Sequence, residues 1–275
     1  MLAPAKINLS LNITGRRDDG YHLLHSYVVF ADYGDEIVLE PSGIGYFLSI
    51  EGPFADQINI DDNIINQAVE LFQQHLGHPL KHRAKLTKNI PVGAGLGGGS
   101  SDAAATIKLL METYNVEIEP SVLKEMLLSL GADVPVCYKT APCLMEGIGD
   151  VISPIKQADK VLPALLVYPD AFVSTPDVFK NYLSEFSQPQ VLDNWFDSID
   201  GMKNDLTVAA MQIEPKIQTA LDLLKEQNGC IASRMSGSGS TCFALFENVE
   251  VRDKVHNAIQ QAHSEWWVQP VSIEI

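Results

Sequence analysis

The segment of this chain best suited to chemistry is a glycine-rich loop, residues 91–102, which reads Pro-Val-Gly-Ala-Gly-Leu-Gly-Gly-Gly-Ser-Ser-Asp. Glycine permits positive φ angles, so successive backbone N–H groups can turn toward one anion. Residues after the loop have helical spacing, and a helix N-terminus adds about half a positive charge and several unpaired donors. Ser100 and Ser101 can offer hydroxyls to phosphate or to a magnesium-bound water. The sequence predicts a phosphate-binding loop; the alternative is a flexible cap without a ligand.

Three better-known classes of nucleotide-binding loop fit this segment poorly. Gly93, Gly95 and Gly98 satisfy G-x-G-x-x-G, but a dinucleotide-binding fold needs a buried apolar strand before the loop, and residues 82–90 are rich in polar side chains. A P-loop ends in Gly-Lys-Ser/Thr, whereas residues 99–101 are Gly-Ser-Ser. A protein kinase would carry HRD and DFG segments, which this sequence lacks.

Other candidate residues are ambiguous when taken alone. Lys6 begins a stretch with alternating polar and apolar residues, so it could be a solvated strand lysine. Asp133 follows a helix stop and precedes Val134-Pro135, which we expect to be extended. Tyr21-His22 could stack on a base and read its edge, or could be a core tyrosine beside a surface histidine. The glycine-serine turn at 236–241 could present N–H groups or be a flexible hairpin turn.

Composition narrows the class of ligand. The formal net charge is −16, which opposes binding of nucleic acid, so a phosphorylated ligand must be held by local N–H groups, a few lysines and a cation. No apolar run approaches the ~18–20 residues that span a bilayer, and we expect neither a signal peptide nor a membrane anchor. The four cysteines form no CxxC pair, which favours reduced thiols in the cytoplasm.

The predicted elements that would position these residues form an α+β protein of two domains, residues 1–150 and 151–275. Strands precede the helices in the first domain, and the second has a β-α-β-β-α-β order typical of a split βαβ sandwich. Residues 188–200 are the predicted mobile connection. The predicted strands are 7–13, 21–30, 35–40, 46–50, 82–90, 161–167, 231–235, 242–246 and 266–275, and the predicted helices are 63–75, 103–114, 120–130, 207–227 with a break at Pro215, and 251–262.

Three segments in order resemble the motifs of the GHMP kinases, a superfamily that phosphorylates small metabolites. They are residues 4–9 (Pro-Ala-Lys-Ile-Asn-Leu), the loop at 91–104, and residues 235–244 (Met-Ser-Gly-Ser-Gly-Ser-Thr-Cys-Phe-Ala). Residues 20–24, 32–35 and 130–135 further resemble a branch whose substrate carries a cytidine diphosphate group. The resemblance implies a ribosomal-S5-like N-terminal domain, a ferredoxin-like C-terminal domain, and dependence on ATP and Mg²⁺.

The resemblance also assigns roles to particular residues. Lys6 and Asp133 would be catalytic and lie at the reacting hydroxyl; our own hypothesis for their roles is that Asp133 orients the hydroxyl and takes its proton late while Lys6 stabilises the developing negative charge. The substrate-binding residues would be Asn8, Tyr21, His22, Thr175 and Phe179, with Tyr21 and Phe179 on the cytosine and His22 at its edge. The ATP-binding residues would be Pro91, Val92, Gly93, Ala94, Gly95, Leu96, Gly97, Gly98, Gly99, Ser100 and Ser101, with Asn63 and Lys88 near the nucleoside.

Neither the residues nor the resemblance assigns the magnesium ligands or the oligomeric state, monomer or homodimer. Two rival functions stay open at this point. One is a GHMP kinase that acts on a different small alcohol, and the other is a non-catalytic binding module that kept the loop.

Overall fold

The computed structural model describes residues 1–156, 160–189, 192 and 194–275. Two compact units are formed from interleaved stretches of chain. The first unit contains residues 1–5, 33–92 and 97–140, and the second contains 6–32, 93–96 and 141–275. The units therefore do not coincide with two successive halves of the sequence, and the domain boundary at residue 150 stays a prediction.

Eleven strands and eight helices occur in the described ranges. The strands are β1 Leu2–Asn8, β2 Asn12–Arg16, β3 His22–Pro41, β4 Phe47–Glu51, β5 His82–Thr87, β6 Cys143–Gly147, β7 Val151–Pro154, β8 Val161–Tyr168, β9 Cys230–Met235, β10 Cys242–Phe246 and β11 Trp267–Glu274. The helices are α1 Ile64–Leu76, α2 Gly98–Tyr114, α3 Pro120–Leu130, α4 Val134–Lys139, α5 Thr175–Lys180, α6 Thr207–Ile213, α7 Lys216–Lys225 and α8 Val249–Ala262.

The first unit packs its helices together beside a short mixed sheet. Strand β5 lies between the end of β3, to which it is antiparallel, and β4, to which it is parallel. Helix α1 buries Ile65, Ala68, Val69 and Phe72 on one face, the spacing of an amphipathic helix. It packs against α2, and α2 in turn packs against α4. This burial fixes the helix that follows the glycine loop.

The second unit contains the predicted split βαβ arrangement. Its sheet has the order β11-β8-β10-β9, and neighbouring strands are antiparallel. Helices α5, α6 and α7 lie in the connection from β8 to β9, and α8 connects β10 to β11. Buried side chains from both layers, among them Leu165, Ala244 and Phe246 from the sheet and Ile217 and Ile259 from the helices, form its core. The α+β class and the ferredoxin-like order are confirmed.

Several predicted elements need correction. The alternating stretch at 7–13 is divided between β1 and β2, and the predicted strands 21–30 and 35–40 belong to one strand, β3, of 20 residues. Val134-Pro135 is not extended. These residues begin helix α4 because proline fits the first turn, where its missing N–H would have no helical partner. Strands β6 and β7 and helix α5 were not predicted.

Part of the connection predicted to be mobile, 188–200, lies outside the described residues at 190, 191 and 193. Within the described part, Trp195–Ser198 forms a turn of 3-10 helix. Among the described residues there is no helix with the length and apolar composition to cross a bilayer. The cytoplasmic location stays a prediction.

Candidate active site

Helix α2 of the first unit begins directly in the glycine run. Gly97 precedes the helix and has a φ of +64°. The N–H of Ser101 donates to the Gly97 carbonyl at 2.8 Å, which is the first hydrogen bond of the helix. The N–H groups of Gly98, Gly99 and Ser100 therefore have no acceptor within the helix. The hydroxyl of Ser101 is buried and donates to the Pro4 carbonyl at 2.7 Å, whereas Ser100 is partly exposed. Of the two predicted hydroxyls, only that of Ser100 is left for a phosphate.

A buried ion cluster lies beneath this first turn. The ammonium of Lys88 contacts the carboxylates of Asp35 at 2.6 Å and Asp102 at 2.7 Å, and all three side chains are at most 4% exposed. A Cβ added to Gly98 would lie 3.1 Å from the Lys88 Nζ and 3.4 Å from Oδ2 of Asp35, so the ion cluster would have to shift by a few tenths of an ångström to admit it. The Lys88 ammonium is thus already held by two carboxylates. Its predicted contact with the nucleoside stays a prediction, and its observed contacts support the start of α2.

The two carboxylates of this cluster differ in their hydrogen bonds. Oδ1 of Asp35 accepts the N–H groups of Asn89 at 2.6 Å and Ile90 at 2.9 Å, whereas Oδ1 of Asp102 is buried and bonds to no described residue. Burial raises the pKa of Asp102 to about 7, and the ammonium of Lys88 only partly opposes this. Burial lowers the pKa of Lys88, but the two carboxylates outweigh it and the net shift is upward. Asp102 is therefore the group on which a proton resides below neutral pH.

Asn63 and Asp133, also in the first unit, lie at helix starts. The Asn63 side-chain oxygen caps α1 by accepting the N–H of Ile65 at 2.8 Å, which leaves its amino group for a ligand. Asp133 is the residue before α4, and its side chain does not cap the helix. The start of α4 therefore positions Asp133, and the residue is partly exposed.

Lys6 lies in the second unit within a buried polar network. Its ammonium, in a residue only 4% exposed, donates to Oδ1 of Asn8 at 3.0 Å. The Asn8 amino group donates to Ser26 at 2.8 Å, and Ser26 donates to the carbonyl of Ser10. The network fixes the direction of the ammonium, as a catalytic lysine requires.

Residues 93–96 of the first glycine loop pack against the second glycine turn, residues 236–241, through their backbones. The N–H of Thr241 donates to the Ala94 carbonyl at 3.0 Å, and the Ser236 hydroxyl donates to the Gly95 carbonyl at 3.1 Å. A Cβ on Gly95, which has φ +78°, would lie 2.4 Å from the Ser236 carbonyl oxygen. Only glycine therefore fits at position 95. The same Ser236 hydroxyl accepts the N–H of Asn8 at 3.1 Å.

Asn8 belongs to the Lys6 network, and the predicted substrate residues His22, Thr175 and Phe179 lie at or beside helix α5. Thr175 begins α5, and its hydroxyl lies 2.7 Å from that of Ser238. Phe179, one helical turn later, stacks with His22 at 5.2 Å between ring centroids. Burial, followed by the charge of Arg16, lowers the pKa of His22, so its imidazole is neutral at pH 7. Tyr21 is 62% exposed. His22, Thr175 and Phe179 are thus brought together, with Tyr21 adjacent in the chain.

Sequence reasoning missed the residues that support these groups. Ser26, Ser238 and Asn204 contact candidate site residues or the second glycine turn, but each is an ordinary polar residue in the sequence. The sequence assigns no role to Asp102, and it carries no signal of the pairing between Asp102 and Lys88. Within the described ranges, no group of three or more His, Cys, Asp or Glu side chains could hold a metal ion.

Known proteins share this architecture. Residues 63–151 match the GHMP kinases N terminal domain, and residues 187–265 match the GHMP kinases C terminal domain. A crystal structure of 4-(cytidine 5'-diphospho)-2C-methyl-D-erythritol kinase superposes with a TM-score of 0.86 at 29% identity, covering 100% of this chain and 99% of that chain. Homoserine kinase from Cytophaga hutchinsonii superposes with a TM-score of 0.69 at 18% identity over 98% of this chain and 93% of its own, which shows a common fold.

Curated relatives match over nearly their whole length. The 4-diphosphocytidyl-2-C-methyl-D-erythritol kinase of Paramagnetospirillum magneticum is 39% identical over 98% of this chain and 97% of its own. The protein of the same name from Brucella melitensis biotype 1 is also 39% identical, over 98% of this chain and 93% of its own. The chain belongs to the GHMP kinases and, within them, to the family of the 4-diphosphocytidyl-2-C-methyl-D-erythritol kinases.

Proposed function

We propose that this protein transfers the γ-phosphoryl group of ATP to the 2-hydroxyl of 4-diphosphocytidyl-2-C-methyl-D-erythritol. The product is the 2-phosphate, an intermediate of the non-mevalonate isoprenoid route. One observation carries the proposal beyond family membership: contacts in the second unit run from Lys6 through Asn8 and the second glycine turn to the helix that bears Thr175 and Phe179. The ammonium of Lys6, proposed to be catalytic, and the ring of Phe179, proposed to stack on the base, are therefore linked by a continuous set of contacts.

The nucleotide assignment rests on the start of α2. Three N–H groups without helical acceptors, a run of glycines and the partly exposed Ser100 fit a polyphosphate, since anions bind at helix N-termini. The net charge of −16 opposes the binding of an anion by the protein as a whole. The neutral N–H donors would provide a local attraction for the phosphates. Mg²⁺, when bound with ATP, would neutralise charge on the phosphates. It usually binds through one or two carboxylates plus substrate phosphates, so the lack of a three-residue cluster in the described part does not conflict with its use. Its protein ligands are not assigned.

Phosphoryl transfer passes through a loose transition state, so positioning and electrostatics provide most of the catalysis. In the proposed mechanism, Asp133 orients the substrate hydroxyl and accepts its proton late, after the new phosphorus–oxygen bond begins to form. Lys6 stabilises the negative charge that develops during transfer. The hydrogen bond from Lys6 to Asn8 holds the ammonium in one direction, so little reorganisation is needed when charge appears.

We assign stacking on the cytosine to Phe179 and Tyr21, and hydrogen bonding at its edge to His22. Phe179 provides a ring face whose position is set by stacking on His22, and the exposed Tyr21 is available to cover a bound base. A neutral imidazole has one donor and one acceptor nitrogen, which suits the hydrogen-bonding edge of cytosine. Thr175, one helical turn before Phe179, places a hydroxyl beside the same ligand.

The test is release of ADP in the presence of ATP, Mg²⁺ and 4-diphosphocytidyl-2-C-methyl-D-erythritol. Asp133→Asn should lower kcat by roughly 10²–10⁴ and leave the affinity for ATP nearly unchanged, because the lost group acts on the acceptor. Asp253→Asn, which removes an exposed carboxylate on α8, is the matched control and should behave like the wild type. Loss of nucleotide affinity with normal turnover in Asp133→Asn would contradict the role given to Asp133.

The same assay separates this substrate from another small alcohol. CDP should compete with the substrate, since both present the cytosine and the diphosphate that the site is proposed to bind. Absence of ADP release with this substrate, together with indifference to CDP, would favour a GHMP kinase of different specificity. Absence of ADP release with any alcohol would favour a binding module.

A further inference from the structure

Asn204 is a buried asparagine whose side chain holds the second glycine turn. Its amino group donates to the carbonyls of Met235 and Gly237, both at 2.8 Å, and its side-chain oxygen accepts the N–H of Leu206 at 3.0 Å. The residue is only 7% exposed. A carboxamide supplies two N–H donors and an acceptor on one short side chain, so neither Asp nor Leu can make this set of bonds.

Asp205, the next residue, holds the start of β2 through its carboxylate and the connection between β1 and β2 through its N–H. Its carboxylate accepts the N–H of Ile13 at 2.8 Å and the Ser187 hydroxyl at 2.7 Å. The backbone on both sides of Asn204 is tied to Leu11: the Leu11 N–H donates to the Lys203 carbonyl at 2.9 Å, and the Asp205 N–H donates to the Leu11 carbonyl at 2.8 Å. The dipeptide Asn204-Asp205 therefore binds two separate segments of the second unit.

Both segments lead to the ammonium of Lys6. Strand β1, which carries Lys6 and Asn8, runs into the connection that Asp205 holds. The turn that Asn204 holds contains Ser236, whose hydroxyl accepts a hydrogen bond from the Asn8 N–H at 3.1 Å. The side-chain oxygen of Asn8 in turn accepts a hydrogen bond from the Lys6 ammonium at 3.0 Å. A Cβ on Gly237 would lie 3.5 Å from this Asn8 oxygen, so a shift of the turn would reach Asn8 directly.

We propose that Asn204-Asp205 is a clamp that positions Lys6 for phosphoryl transfer, by fixing the spacing between the β1–β2 connection and the second glycine turn. Both are positioning residues, since they act through Asn8 and the turn. The inference rests on the proposed function, because it assumes that Lys6 acts in the transfer. A misplacement of 1 Å at a catalytic group can cost about 10²-fold in rate, so weakening the clamp should lower kcat without touching any ligand.

The main test is Asn204→Ser, measured by ADP release and by amide hydrogen exchange of residues 236–241. Serine can still accept the Leu206 N–H but cannot reach both carbonyls, so the variant isolates the contacts with the turn. We expect kcat to fall by about tenfold, KM for ATP to change by less than about threefold, and exchange in the turn to become faster. Exchange of α8, which is remote from these contacts, should match the wild type and shows that the variant is folded.

A second variant, Asn204→Asp, keeps the shape but places an oxygen against two carbonyl oxygens. Protonation of the new carboxyl relieves this repulsion, so its kcat relative to the wild type should rise as the pH is lowered. Asn257→Asp adds the same charge on the exposed face of α8 and should show neither the loss nor the pH dependence. Rescue at low pH is a signature that a general loss of stability would not give.

The two proposals fail in distinguishable ways. Lack of ADP release by the wild-type protein would reject the proposed function, while exchange in the turn would still report whether Asn204 holds it. Unchanged kcat in both Asn204 variants of an active enzyme, or unchanged exchange at residues 236–241, would overturn the clamp.

Discussion

The two parts of the first glycine loop are supported in opposite ways. In the first unit, the start of α2 lies on buried charges, Lys88 with Asp35 and Asp102. In the second unit, residues 93–96 are bound by neutral groups of the second glycine turn. Buried ions stabilise a fold only while each charge keeps its partner and its protonation state, because an unpaired buried charge is strongly destabilising. Neutral backbone contacts depend instead on close approach, which only glycine allows.

This difference suits a chain that must bind an anion against a net charge of −16. With Asp102 protonated, the cluster of Lys88, Asp35 and Asp102 carries no net charge, and with Asp102 ionised it carries one negative charge beneath the helix start that we propose binds the phosphates. The neutral contacts around residues 93–96 have no such dependence. Removal of a charge or a change of pH should therefore alter the stability of the first unit. The stability of the second unit should respond instead to side chains that change the packing between the two glycine segments.

The largest effect on stability should come from removing the shared cation. Lys88→Met leaves two carboxylates buried without a counter-charge, which should lower the free energy of unfolding by about 3–5 kcal/mol. Urea denaturation would measure it. Lys85→Met, three residues earlier in the chain, breaks a half-exposed ion pair with Glu51 and should cost far less, because water screens exposed pairs. Equal losses in the two variants would remove the distinction between the buried cluster and ordinary surface pairs.

A shape change should produce the next largest effect. Gly95→Ala combines an unfavourable φ of +78° with a Cβ only 2.4 Å from the Ser236 carbonyl oxygen, and should destabilise the protein by about 2–4 kcal/mol. Gly77→Ala is the matched control, because Gly77 has φ +76° but no atom within 4 Å of the added Cβ. Its cost should be about 1–2 kcal/mol, that of the backbone conformation alone. Equal costs at the two positions would show that the second turn yields to the added methyl group.

Local sequence signals predicted the parts of the fold that depend on local physics. The glycine run followed by helical spacing predicted α2, and the cap at Asn63 predicted the start of α1. The β-α-β-β-α-β order of the second unit followed from apolar periodicity and turn residues. Gly34 falls between the predicted strands 21–30 and 35–40, but it lies inside β3, where a Cβ would be 2.1 Å from the Ala3 carbonyl oxygen. There glycine serves close approach, which sequence alone does not distinguish from a turn.

The candidate site could be predicted only as a set of residues, most of them through the resemblance. The contacts that support it join residues far apart in sequence, such as Thr175 with Ser238 and Asn8 with Ser236. Lys88 illustrates the limit most clearly. It follows a strand in which polar and apolar residues alternate, a position typical of an exposed lysine. In the structure Lys88 is buried and paired with two carboxylates from distant segments of the chain. Pairing of this kind is decided by tertiary packing, which local patterns do not encode.

The next predicted effect is a slope of stability with pH, and it tests the comparison between the units most directly. Because the pKa of folded Asp102, about 7, lies above that of an unfolded Asp, the native state holds an extra proton between about pH 4 and 7. Stability from this proton is present at low pH and is lost as the pH rises through that window. Asp102→Asn has no proton to lose there. Its unfolding free energy relative to the wild type should therefore increase between pH 5 and 8, by about 2–3 kcal/mol for a folded pKa of about 7.

Ser236→Ala supplies the contrast from the second unit. Among the described residues, the Ser236 hydroxyl bonds to two neutral groups, the Asn8 N–H and the Gly95 carbonyl, so its removal should cost about 1–2 kcal/mol at every pH in this range. Urea titrations of both variants and the wild type at pH 5, 6, 7 and 8 would measure the two differences. A flat difference for Asp102→Asn would mean that Asp102 is ionised throughout, with Lys88 outweighing its burial. In that case the first unit would carry a permanent negative charge under α2, and the attraction for phosphate would have to come from the N–H groups alone.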